Sequence, residues 1–148
     1  MAPQFSAATL LSNLKNKKVS STELVQQSLA RISDTSHQNA YISVLAEEAL
    51  KNASLSDKKR ANGEACGPLE GLPIAIKDNI VVKGSKTTCG SRILENFISP
   101  YTATSVQKLI DAGAIVIGKT NCDEFAMGSS NENSAFGPVQ NPLDTSRI

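Results

Sequence analysis

The chain has 148 residues, 40% of them apolar, with 15 lysines and arginines against 14 aspartates and glutamates, a net charge of +1. One domain's worth of chain with that apolar share can bury a core, which excludes a disordered polypeptide. The near-zero charge excludes a basic field that grips nucleic acid unaided, and no apolar run approaches the ~20 residues of a membrane span.

Ser6 can cap a short helix through Leu10, Leu11 and Leu14. Ser20 and Glu23 then form an S-x-x-E capping box, with Val19 and Leu24 at its staple positions. Leu24, Val25, Leu29 and Ile32 follow on one helical stripe. Tyr41 to Val44 reads as a short extended stretch. Residues 45–61 read as a third helix with Leu45, Ala49, Leu50 and Ala53 turned inward. The Lys58-Lys59-Arg60 run reads as its solvated end, where cations meet the negative pole of the helix. The first 62 residues carry eight basic and five acidic side chains, and the remaining 86 carry seven and nine. Composition shifts at the same place, from helix formers to Gly, Pro and β-branched residues. Residues 1–62 therefore read as an N-terminal helical segment and 63–148 as the first part of an α/β domain.

In that second part, Leu72 to Lys77 is a strand reached through Gly71 and Pro73, and 79–99 is turn-rich. Thr102 or Thr104 can cap a helix with Val106, Leu109 and Ile110 inside and Gly113 in the C′ position. Ala114 to Gly118 is a compact apolar strand, and Asn121 to Met127 reads as a short helix. Strand, helix, strand makes one βαβ unit with its two strands parallel. From Gly128 to Ile148 periodicity is lost, with Phe136 and Val139 as anchors. A run of that kind is usually functional or disordered.

Met1 to Leu11 lacks a basic stretch leading into an apolar one, so no secretory signal is expected. The expected setting is a cytoplasm, with a mitochondrial matrix as the alternative and no membrane partner. Cys66, Cys89 and Cys122 stand far apart, no CxxC pair occurs, and His37 has no neighbouring ligand type. Free thiols and no metal site are expected. Gly113 to Thr120 matches the G-x-x-x-x-G-K-[ST] expression of a phosphate-binding loop. The residues between its glycines are Ala-Ile-Val-Ile, which is the strand itself, and a helix precedes it. That context cannot offer phosphate a nest of amides. Lys119 is then an ordinary edge residue, or one packing near a site.

The informative segment is Gly71-Leu-Pro-Ile-Ala-Ile-Lys77-Asp78-Asn79. By period two, Leu72, Ile74 and Ile76 share one face, and Pro73, Ala75 and Lys77 the other. Lys77 thus ends an apolar strand at its carboxyl end, where parallel sheets bind ligands. A lysine shielded from water there holds its charge poorly and can take a proton from a hydroxyl nucleophile. The same residues also read as an ordinary solvated turn.

Three stretches resemble the amidase signature family. They are Gly71 through Asn79, then Gly113-Ala114 through Gly118-Lys119-Thr120-Asn121 with Asp123-Glu124-Phe125, then Met127-Gly128-Ser129-Ser130 through Phe136-Gly137 to Asn141-Pro142. The helical front, with Ser20 to Leu24 and Leu29 to Ile32, is similar too. The string Asp123-Glu-Phe-Ala-Met-Gly-Ser-Ser130 is most similar to one branch, the A subunits of glutamyl-tRNA(Gln)/aspartyl-tRNA(Asn) amidotransferases. The resemblance implies an α/β fold in which N-terminal helices precede a βαβ edge of a larger mixed sheet, incomplete within 148 residues. It implies a Ser–cis-Ser–Lys triad with Lys77 as its catalytic lysine, and Met127, Gly128 and Ser129 as substrate-pocket residues. The branch releases ammonia from glutamine, and the ammonia converts a misacylated Glu-tRNA(Gln) or Asp-tRNA(Asn) into its amide.

The same branch implies the amidotransferase's B and C subunits as partners, misacylated tRNA held through the B subunit, and ATP with Mg at the partner. This chain itself is expected to bind no cofactor. Both triad serines of the family lie in a Gly-Gly-Ser-Ser-Gly-Gly-Ser stretch and beyond, past the position of Ile148. Residues 1–148 alone are therefore expected to be inactive. The alternatives are another amidase-signature amide hydrolase, or a non-catalytic fragment. A two-stranded edge is also expected to leave an apolar patch at Ile74, Ile76, Ile115 and Ile117.

Overall fold

The computed structural model describes residues 6–148. Among them the order is α1 (Ala7–Lys15), α2 (Ser21–Asp34), β1 (Tyr41–Val44), α3 (Ala46–Ala61), β2 (Pro73–Lys77), α4 (Thr104–Asp111) and β3 (Ile115–Thr120). Single 3-10 turns occur at Ser36–Gln38, Arg92–Leu94 and Glu124–Ala126. The sheet runs β1-β3-β2, with β3 parallel to β2 and antiparallel to β1. This is the expected α/β arrangement of front helices followed by a βαβ unit. The short stretch at Tyr41 gains a role as the strand that makes the sheet mixed.

The front helices start where side chains satisfy their free amides. Ser6 Oγ accepts the Thr9 amide at 3.1 Å. Ser20 Oγ accepts the Glu23 amide at 3.1 Å, and the Glu23 carboxylate accepts the Ser20 amide at 2.8 Å, completing the capping box. A second anion serves the same helix end from α3. Asp57 accepts the Ser21 amide at 2.7 Å and the Thr22 amide at 3.0 Å. Burial opposes the Asp57 charge, but the hydroxyl and amide of Thr22 and the amide of Ser21 prevail and hold its pKa below the ordinary aspartate value.

Each face of the sheet has its own apolar layer. On one, Val25 of α2 and Ala49 and Ala53 of α3 meet Ile115 and Ile117, with Leu29, Ile32 and Leu50 around them. Small alanines at full burial let α3 lie close on β3. On the other, Ile76, Val82, Val106 and Val116 pack with Ile74 and Ile110. The expected apolar patch is therefore absent among the described residues. Ile76, Ile115 and Ile117 are only 6%, 3% and 5% exposed, because α2 and α3 cover one face and α4 with the 80–82 segment covers the other.

Three local expectations change. The Lys58-Lys59-Arg60 run is not simply solvated. Lys59 pairs with Glu70 at 2.9 Å, and Arg60 donates to Asp57 at 3.2 Å and to the Glu70 carbonyl at 3.0 Å. The two bonds to Glu70 fasten α3 to the turn before β2. Helix α4 has Ala103 as its capping residue, whose methyl makes no side-chain bond, and Thr102 Oγ1 instead accepts the Lys83 amide at 3.0 Å. Gly113 does follow the helix end with φ +97°, as its place after the helix predicts. Finally, 121–127 is not a helix. Phe125 and Ala126 adopt φ of 51° and 59°, a left-handed pair that stops any helical continuation beyond one turn.

Candidate active site

The site is set by an irregularity in β3. Ile74 pairs with Val116 and Ala75 with Gly118, so Ile117 is an extra residue on the β3 side. Such a bulge reverses which face the following residues take. Ile115 and Ile117 face α2 and α3, and strict alternation would put Lys119 with them. The bulge instead sets Lys119 opposite Ile76, on the face of Val116. Lys119 is fully buried, on the central strand rather than at an edge.

There its ammonium finds three acceptors. Nζ donates to Asp78 Oδ1 at 3.1 Å, to the Lys86 carbonyl at 3.1 Å and to Thr87 Oγ1 at 3.0 Å. An ammonium has three N–H donors, so none is left over. Asp78 is likewise fully buried, and its Oδ2 accepts the Thr88 amide at 2.8 Å and the Thr88 hydroxyl. The Asp78 amide donates to Thr120 at 2.9 Å and its carbonyl accepts from Cys89 at 3.3 Å. A buried charge pair is tolerable only when its remaining polar valences are met, and here they are. The glycine-to-glycine phosphate-loop match is thereby accounted for as strand backbone with an internally paired lysine.

The loop held by Asp78 is tied in turn to the one after β3. The Phe125 amide donates to the Cys89 carbonyl at 2.7 Å, and the Ala135 amide to the Gly90 carbonyl at 2.8 Å. Ser91 donates to Glu124. Within the later loop, Asp123 is buried and accepts the amides of Asn131 at 2.9 Å and Asn133 at 3.1 Å. Asn121 donates to the carbonyls of Asn39 and Gly137 and accepts from Ser134. The stretch after Gly128 lacks regular elements, yet the amides of Asn131, Asn133 and Ala135 are taken up by the Asp123 carboxylate and the Gly90 carbonyl.

At the carboxyl ends of β2 and β3, Lys77 and the stretch from Asn121 to Pro142 line an open cavity of about 430 Å³. Lys77, Cys122, Asp123, Gly128, Ser129 and Asn131 are among its lining residues. Lys77, Gly128 and Ser129, far apart in sequence, thus share one concave surface. Met127 does not line it; the left-handed turn before it leaves the side chain 81% exposed. Gly128 has a packing reason to be glycine, since a Cβ there would lie 2.3 Å from Asp123 Cγ.

Lys77 is exposed, contrary to the water-stripped setting expected for it. Ala75, on the same face of β2, is exposed as well, so none of the described residues covers that end of the strand. Cys122 is a buried part of the cavity wall. Burial pushes its thiol pKa up, with the nearby Lys77 charge pulling the other way. Cys89 is also raised, first by burial and then by the Asp78 charge. Neither thiol is an activated nucleophile. All three cysteines are free.

The reading of the sequence missed Asp78, Asp123 and the true place of Lys119. The adjacent Lys77-Asp78 pair carried a signal, because neighbouring residues of an extended strand point to opposite sides. The bulge left none that a period-two pattern could reveal.

Residues 23–148 match the family described as Amidase, and the chain belongs to that family. It is 52% identical over 140 residues to the A subunit of the glutamyl-tRNA(Gln) amidotransferase of Prochlorococcus marinus (strain NATL2A), covering 94% of this chain and 29% of that one. It is 51% identical over 134 residues to the A subunit of the mitochondrial glutamyl-tRNA(Gln) amidotransferase of Homo sapiens, covering 90% and 25%. The crystal structure of the glutamyl-tRNA(Gln) amidotransferase A subunit from Thermotoga maritima superposes with a TM-score of 0.74 at 39% identity, over 98% of this chain and 29% of that one. The chain thus spans under a third of the length of these relatives.

Proposed function

We propose that this segment supplies the general base and one wall of the acyl pocket of the glutaminase subunit of a tRNA-dependent amidotransferase. The observation that carries the reading is that Lys77 opens into the same cavity as Gly128 and Ser129. Lys77 takes a proton from a bridging serine, which deprotonates a nucleophilic serine. Both serines belong to the glycine-rich part of the family that follows position 148. The nucleophile attacks the side-chain amide of glutamine, the C–N bond breaks, and ammonia leaves with the returned proton. Water then releases glutamate from the acyl-serine. The ammonia serves the partner B subunit, which holds misacylated tRNA and binds ATP and Mg, with the C subunit completing the assembly. Met127 stands outside the cavity and contributes from the rim.

The test is glutamine hydrolysis by a full-length protein carrying this segment, assembled with its partner subunits. Lys77→Ala is expected to lower kcat by about 10²–10⁴-fold, the usual contribution of a positioned base. Turnover within a few-fold of the parent would overturn the assignment.

A further inference from the structure

Two carboxylates lie beside Lys77, and the fold commits both to other partners. Asp123 lines the same cavity, and its oxygens accept the amides of Asn131 and Asn133. Asp78 is next in the chain, turned inward onto Lys119 and Thr88. Among the described residues Lys77 makes no ion pair. A general base works only when its amine is held within reach of the hydroxyl it serves, so the firmness of the backbone that carries it matters.

The backbone around Lys77 is fixed at the same time. Its carbonyl accepts the Ile80 amide at 2.9 Å, and the Asp78 amide and carbonyl are both bonded. Residue 78 is therefore anchored through amide, carbonyl and both carboxylate oxygens, one bond away from the residue that carries the amine. We propose that Asp78 and Lys119 form a positioning pair for Lys77. Lys119 takes up the Asp78 charge, the pair locks the end of β2 to the Thr87-Thr88 loop, and Lys77 is left aimed at the cavity. The inference rests on the proposed function and adds two residues to it. Neither touches the substrate; both act through Lys77.

The experiment uses the full-length, partner-assembled protein and reads kcat and KM for glutamine separately. Three variants are compared at a temperature where circular dichroism shows each folded. Thr88→Val keeps the side-chain volume and removes the hydroxyl bond to Asp78. It is expected to lower kcat by about tenfold with KM unchanged, the usual effect of one hydrogen bond to a charged group. Lys119→Met leaves the Asp78 charge unpaired and is expected to lower kcat further, again without a change in KM. Asp78→Asn combined with Lys119→Met removes both charges and is expected to recover kcat to within about tenfold of the parent. A purely structural pair would lower thermal stability and leave kcat of the folded enzyme unmoved.

Unchanged kcat in Thr88→Val overturns the proposal even if Lys119→Met does not fold. So does a loss confined to KM, or a double variant no better than Lys119→Met. Lys77→Ala run alongside separates the two readings. If it retains turnover, the proposed function fails; if it is inactive while the pair variants are silent, only the positioning role fails.

Discussion

Lys77 and Asp78 are sequence neighbours with opposite surroundings: the lysine is exposed at a cavity, and the aspartate is sealed from solvent against Lys119 at 3.1 Å. The extended backbone at the end of β2 produces this split, because successive side chains leave on opposite sides. Removing one member strands the other as an uncompensated charge in the core. Asp78→Ala is expected to destabilise the fold by about 3–5 kcal/mol, the usual cost of breaking a buried pair. Urea unfolding followed by circular dichroism measures it. A loss under about 1 kcal/mol, the worth of an exposed pair, would show that the Lys119 site is wet.

The Asp123 carboxylate gives a second prediction, this time about the cavity wall. It gathers the amides of Asn131 and Asn133 around Gly128, where a Cβ would fall 2.3 Å from its Cγ. Gly128→Ala must push the carboxylate off those amides. The overpacking is expected to cost about 1–3 kcal/mol. Hydrogen exchange at Asn131 and Asn133 should accelerate while amides of β3 keep their protection. Unaltered exchange at both asparagines would show that the loop does not depend on this contact.

Much of this architecture is legible in the sequence, and the particular residues show why the rest is not. The box at Ser20 and Glu23, the stripe from Leu24 to Ile32 and the inner face at Ala49 and Ala53 are local patterns with local causes, and they stand where those causes put them. The helix expected over 121–127 fails because Asp123 serves amides eight and ten residues onward, a partnership that no short window contains. Lys119 escapes the pattern for a related reason. Its burial depends on the extra residue Ile117 in the pairing of β3 with β2, which is a property of two strands together. Lys77, Gly128 and Ser129 line one cavity, but the exposure of Lys77 follows from what covers its strand, and periodicity does not report that.

The approach of β1 to β3 can be probed at Gly118, which pairs with Val44. A Cβ at this position would lie 2.7 Å from the Ser43 carbonyl and 3.0 Å from the Tyr41 ring. Gly118→Ala is expected to force β1 away and to destabilise by about 1–3 kcal/mol, although Ala suits a strand interior better than Gly does in isolation. Thermal unfolding gives the sign. A stabilised variant would mean that β1 yields without cost and that the close approach is not what keeps position 118 small.

The last prediction concerns acid. Asp57 reaches from α3 to the amino end of α2, accepting the Ser21 and Thr22 amides and the Thr22 hydroxyl. Burial works against its charge, yet those donors hold its pKa below the ordinary value of 3.8. A carboxyl whose pKa is depressed on folding binds fewer protons folded than unfolded. Its contribution is therefore complete above the unfolded value and is lost as pH falls through the lower, folded one. Asp57→Asn removes the charge and is expected to cost about 0.5–2 kcal/mol at neutral pH, as for other helix-start acceptors. Glu70, whose pKa is also lowered by its bonds to Lys59 and Ser56 against the opposing effect of burial, titrates in both proteins. The informative quantity is thus the difference between the two urea-unfolding free energies measured from pH 7 down to the acid range. That difference should be constant near neutrality and shrink as the solution passes below the ordinary aspartate value. A gap that stays the same at all pH values would mean that Asp57 holds α2 through its shape and not through its charge.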